Sequence, residues 1–164
     1  MRPLVWGLVV VLLLVLQATV LPLVAIGGVR PDLILIASIS AGLLLGREHG
    51  VGLGFFGGLL QDLTSGNIFG LNILAKMAVG YLAGQMERKV FKENILLPLL
   101  AVMLGTGVHS VVAIFLLLTG GYKVDVPVEL ANALYLVGYN AVLAIPVHRL
   151  VFLIARNEMP DPNA

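Results

Sequence analysis

Long apolar runs separated by short polar clusters set the pattern of this chain. From Leu4 to Ile26 only Gln17, Thr19 and Pro22 stand out, behind the short basic start Met1-Arg2-Pro3. A secretory signal has an apolar core of about 7 to 15 residues and a small-x-small cleavage site. This run is longer and has no convincing site, which favours an uncleaved first span over residues 4–26. Gly27, Gly28, Arg30 and Pro31 end it. Leu33 to Leu45 is also apolar, but short for a span at ~1.5 Å per residue, even with Asp32 as its N-cap. The cluster Arg47-Glu48-His49 then separates two arrangements. One helix over 32–60 would hold all three near mid-membrane, at ~2.5 to 3.5 kcal/mol for the arginine alone. A turn there gives two short helices instead, 32–46 and 50–64, which need a locally thin bilayer or cover from their neighbours. The two-helix reading is preferred; a single tilted span, making five in all, is the alternative.

Thr64-Ser65-Gly66-Asn67 is a turn by composition, and a fourth apolar segment runs over 68–85. Met86 to Asn94 is the most charged stretch. A fifth segment, 95–118, carries Pro98 in its first turn, where proline is tolerated. Thr119-Gly120-Gly121-Tyr122-Lys123 opens a loop, and a sixth segment, 130–154, is expected to bend at Pro146. The predicted fold is thus all-α, a polytopic six-helix transmembrane bundle forming a single membrane domain. With six spans, Arg2, Arg47, Arg88, Lys89, Lys92, Arg149 and Arg156 share a side, against Arg30 and Lys123 on the other. The positive-inside rule then puts both termini in the cytoplasm.

Composition supports this reading. Of 164 residues, 59% are hydrophobic and 12% charged, whereas an ordinary soluble domain carries about 25% charged residues. The absence of cysteine excludes disulfides, thiolate metal sites and a cysteine nucleophile. Glycine recurs at 42, 46, 50, 54 and 58. In a soluble helix each would cost about 1 kcal/mol relative to alanine, but in lipid small residues at this spacing let helix backbones touch. Gly50, Gly54, Gly57 and Gly58 are therefore candidates for a partner interface. Residues 52–57 also match G-x-G-x-x-G; without a preceding strand and a following amphipathic helix that match is accidental.

The candidate chemistry is sparse. Asp62 closes the third helix and Lys76 lies two turns into the fourth, so a pair between them is geometrically reasonable. A buried pair would mark a ligand or partner site; in the plainer reading Asp62 satisfies turn amides and Lys76 snorkels to the interface. His109 lies near the middle of the fifth helix with Thr106 and Ser110 beside it. On the sixth, Asn132, Tyr135 and Tyr139 share a face, with Asn140 alongside. These stripes suit either a solute pocket or interhelical hydrogen bonds, worth ~0.6 kcal/mol each in a membrane. No catalytic or nucleotide-binding motif occurs, and the acids are not at metal-ligand spacing. Nothing points to an enzyme, a cofactor, a metal or nucleic acid.

Six short apolar segments, the Arg30-Pro31-Asp32-Leu33 entry to the second, and the stretch from Gly57-Gly58-Leu59-Leu60-Gln61-Asp62 to Gly70 together resemble the rod shape-determining protein MreD family. The resemblance implies a non-enzymatic inner-membrane component of the cell-wall elongation complex, or elongasome, which carries out peptidoglycan synthesis in rod-shaped bacteria. It implies MreC, a single-span protein, as the direct partner, with MreB, a SEDS glycosyltransferase and a class B penicillin-binding protein reached through it. It also implies a fold similar to the substrate-binding subunits of energy-coupling-factor transporters. No catalytic residue carries over, and the role of Asp62 is left open. The rival reading is a membrane-embedded solute-binding or transport subunit using Asp62, Lys76, His109 and Tyr135 as ligand contacts.

Overall fold

The computed structural model describes residues 3–25, 27–66, 68–86, 96–156 and 158. The charged stretch with Arg88, Lys89 and Lys92, the first residue of the fifth segment, Ile26, Asn67 and Arg2 lie outside them. Six α-helices are described: α1 Pro3–Thr19, α2 Leu33–Leu45, α3 Arg47–Ser65, α4 Leu71–Gln85, α5 Leu96–Thr119 and α6 Val126–Ala155. Two of them, α5 and α6, are long and apolar enough to cross a membrane, while α1 and α2 are apolar but shorter.

The centre of the bundle is α2. Its sequence LILIASISAGLLL is apolar on every side, which is the signature of a helix without a solvent face; all 13 residues are buried. Each of the other five helices packs against it. At ~1.5 Å per residue it is about 20 Å long, well short of a ~30 Å hydrocarbon core, and this length suits a helix wrapped by its neighbours.

One residue separates α2 from α3. Gly46 has φ 92° and ψ 179°, a backbone geometry that side chains resist, and it lets the chain reverse at once. The break therefore falls one residue before the charged cluster, so Arg47, Glu48 and His49 form the first turn of α3 and not the turn itself. Other boundaries shift for equally local reasons. The first apolar run leaves α-helix at Thr19, and Pro22 sits in a short 3-10 turn over Leu21–Val24, because proline cannot donate to the helical ladder. α6 begins earlier than 130, capped by Asp125, whose carboxylate accepts the Val128 amide at 3.4 Å, and carries Pro146 within it.

Gly50, Gly54, Gly57 and Gly58 of α3 are covered by this chain's own helices. A Cβ on Gly54 would stand 2.7 Å from the Lys76 carbonyl, one on Gly58 2.7 Å from the Ile73 Cα, and one on Gly50 would collide with the Gly80 carbonyl. Gly84 approaches Arg47 in the same way, and Gly57 is filled by the Ile34 side chain of α2. Positions four apart on α3 thus meet positions four apart on α4 running the opposite way. This corrects the expectation that Gly50, Gly54, Gly57 and Gly58 face a partner: their close approach is used inside the fold.

The same geometry makes a prediction. Gly54→Ala should destabilise the protein by about 1 to 3 kcal/mol, the usual cost of overpacking, read as a lower melting temperature in mild detergent. Gly52→Ala, where nothing lies within 4 Å, should stay within about 0.5 kcal/mol of wild type. Equal melting of the two variants would contradict the packing described.

Candidate functional site

Most of the buried polar residues, joined by Asn72, form one connected chain across five helices. It begins where α2 begins. Asp32 caps that helix by accepting the Leu35 amide at 2.9 Å, and its second carboxylate oxygen receives the Lys76 ammonium at 2.6 Å. Lys76 is fully buried and Asp32 nearly so. Lys76 also donates to the Asn72 side chain, one turn earlier on α4, at 2.9 Å; residues four apart share a helix face.

From Asn72 the chain reaches α3. Its side-chain amide donates to Asp62 at 2.9 Å, and Asp62 further accepts the backbone amides of Gly70 at 2.8 Å, Asn72 at 3.2 Å and Ile73 at 3.3 Å. The first amides of a helix lack intrahelical partners. Gly70, at φ 96°, occupies the N-cap of α4 and has no side chain to satisfy them. Asp62 supplies that cap from the neighbouring helix, and the positive end of α4 favours its negative charge.

In the other direction the chain runs to α6 and α5. The Asp32 backbone amide donates to Asn140 Oδ1 at 2.9 Å, Asn140 Nδ2 donates to Thr106 Oγ1 at 3.0 Å, and Thr106 donates to the Val102 carbonyl at 2.7 Å. Asn140 and Thr106 are fully buried.

The residues singled out from the sequence therefore divide. Asp62, Lys76 and Asn140 belong to the chain, but the expected Asp62–Lys76 pair is replaced by Asp32–Lys76, with Asn72 standing between Lys76 and Asp62. Lys76 does not snorkel. Asp62 satisfies turn amides, yet from a buried position. The polar face of α6 is split: Tyr139 donates to the Val24 carbonyl at 3.0 Å, Tyr135 is exposed, and Asn132 lines a cleft with His109. Two participants went unrecognised in the sequence. Asn72 was legible as the residue four before a buried lysine; Asp32 was legible as a cap, but nothing local marked it as the ion partner. The ammonium of Lys76 and the oxygens of Asp62 are engaged, so these groups hold helices together. Among the described residues no three His, Asp or Glu side chains are grouped as metal ligands would be.

Removing the Asp62 carboxylate should expose this role. Asp62→Ala leaves three amides of α4 without their acceptor and should cost about 1 to 3 kcal/mol, while Asp62→Asn, which keeps one acceptor oxygen, should fall between it and wild type. Thermal melting in detergent orders the three proteins. An Asp62→Ala variant as stable as wild type would contradict the capping role.

The family model described as rod shape-determining protein MreD matches residues 1–157. No curated protein and no solved structure matches the chain. The matched region takes in all six helices and every member of the buried polar chain, and the protein accordingly belongs to the rod shape-determining protein MreD family.

Proposed function

We propose that this protein is a multi-pass component of the bacterial inner membrane, crossing it six times with both termini in the cytoplasm. In this reading it is a non-enzymatic scaffold of the cell-wall elongation complex that holds the single span of MreC, and through MreC works with MreB, a SEDS glycosyltransferase and a class B penicillin-binding protein to maintain rod shape. The observation that carries the reading is the division of labour between interior and surface. Most buried polar groups are turned on one another, while apolar side chains face outward on α1, α3, α5 and α6, among them Leu8, Phe56, Leu104 and Leu134. A surface of that kind meets lipid or another span. Arg47, Arg149 and Arg156 would lie on the cytoplasmic face, with Arg30 and Lys123 opposite, in keeping with the positive-inside rule. The short α2 crosses under cover of its neighbours, which eases its mismatch with the bilayer.

The third helix remains the proposed contact for MreC, through a different edge from Gly50, Gly54, Gly57 and Gly58. Gly52 has open space above it, and Phe55 and Phe56, three and four residues on, are exposed and meet edge to face at 5.2 Å. A small residue beside aromatic knobs is a surface against which another helix packs closely.

The chain has no cysteine, so single-cysteine variants test this directly in membranes containing MreC. Gly52→Cys and Phe56→Cys should crosslink to cysteines in the MreC span, and Leu134→Cys should not. MreC that co-purifies but crosslinks only through α6 would move the interface elsewhere. A folded, membrane-inserted protein that retains no MreC at all would overturn the scaffold reading.

A further inference from the structure

A cleft of about 190 Å³ opens between α5, α6 and the segment leading into α2. His109 forms part of its floor. This side chain is 7% exposed, and neither ring nitrogen has a hydrogen-bond partner among the described residues. A buried polar group without a partner is destabilising and calls for a ligand or bound solvent. The mouth carries two opposite charges, the exposed Arg30 and the half-buried Glu129 in the first turn of α6. Among the described residues neither forms an ion pair. Asn132 and Ser110 add polar groups between them; Ser110 donates to the Thr106 carbonyl at 3.1 Å and its oxygen can still accept. The remaining wall is apolar, including Ile114, Leu117 and Leu136.

This set of groups is complementary to a molecule with an anion, a cation and an apolar tail. We propose that the cleft binds the headgroup of a phospholipid of the phosphatidylethanolamine type, a site that rests on the membrane reading above. The phosphodiester lies against Arg30 near the outer face, the primary ammonium against Glu129 and the Asn132 side-chain carbonyl, a glycerol ester carbonyl accepts from His109 deeper in the cleft, and the first acyl carbons run along Leu136. Outside the cleft the tails continue toward the bilayer centre over the exposed Val111 and Leu104 of α5 and Val142 of α6. The volume agrees, being below the ~300 to 1,000 Å³ of pockets that enclose a drug-sized solute.

Selectivity follows from the same residues. A choline headgroup cannot donate to Glu129, and its usual recognition uses aromatic faces; among the described residues no Phe, Tyr or Trp lines the cleft. A phosphatidylglycerol headgroup brings the phosphate without a cation and leaves Glu129 beside an anion, an arrangement that rejects the ligand.

The full chain with MreC, reconstituted in vesicles of equal phosphatidylethanolamine, phosphatidylcholine and phosphatidylglycerol with matched acyl chains, is extracted gently and examined by native mass spectrometry. Wild type should retain phosphatidylethanolamine over each competitor by about tenfold, equivalent to ~1.4 kcal/mol. Glu129→Gln should reduce that preference to about twofold or less, a difference of under ~0.5 kcal/mol, with an unchanged melting temperature, and Arg30→Gln should weaken retention of all three. Equal retention by wild type, a preference for phosphatidylglycerol, or an unchanged preference in Glu129→Gln would overturn the site. Displacement of the lipid by an equal concentration of water-soluble phosphoethanolamine would reassign the cleft to a free solute and overturn the lipid assignment. MreC retention is scored in the same samples, so a lost lipid preference with MreC still bound counts against this site and not against the scaffold.

Discussion

A lysine ammonium taken out of water needs a counter-charge, and at Lys76 that counter-charge is Asp32, 2.6 Å away at the start of α2. The desolvation cost of such a pair is large, and the attraction repays it only when the remaining donors and acceptors are also satisfied. Here they are. Asn72 takes a second ammonium proton, the Leu35 amide occupies the other Asp32 oxygen, and the Asp32 backbone amide is held by Asn140. Pulling any one of α2 to α6 out of the bundle strands a polar group in an apolar interior. The pair therefore does more than join α2 to α4: it gives five helices a common register.

That register depends on close approach. The glycines of α3 and the pair Gly80 and Gly84 of α4 bring two backbones together where ordinary side chains would keep them apart. With α3 this near, Asp62 can reach the first amides of α4 and cap a helix whose own N-cap residue is glycine. The one-residue turn at Gly46 folds α3 directly back on α2, so that Gly57 accepts Ile34. Backbone contact and polar contact are thus two aspects of one arrangement. Its outward consequence is that much of the surface is left to apolar side chains, which suits the membrane role proposed for this member of the MreD family.

Much of the fold was legible locally. The all-apolar character of residues 33–45, the cap at Asp32 and the charged break near Arg47 each depend on neighbours in sequence, and each marks the right element. The third helix could be recognised as a close-packing helix, but spacing alone does not say which way glycines face; the matching Gly80 and Gly84 on the next helix were the available sign of an internal contact. The ion pair was less accessible. Asp62 lies nearer to Lys76 along the chain, and only the three-dimensional contact of α2 with α4 brings Asp32 within reach. The cleft at His109 is harder still, because its charges come from the segment before α2 and the first turn of α6, which no periodicity connects.

The central claim is that Asp32 and Lys76 stabilise the bundle as a pair and not as separate polar residues. A double-mutant cycle on thermal or denaturant stability in mild detergent tests it, using Asp32→Asn, Lys76→Met and the double variant; asparagine keeps the cap on Leu35 while removing the charge. Each single change should cost about 3 to 5 kcal/mol, because it leaves an unpaired buried charge. The double variant should recover most of that loss, giving a coupling energy well above the ~0.5 kcal/mol expected of independent sites. Single variants close to wild type, or losses that simply add in the double variant, would contradict the account.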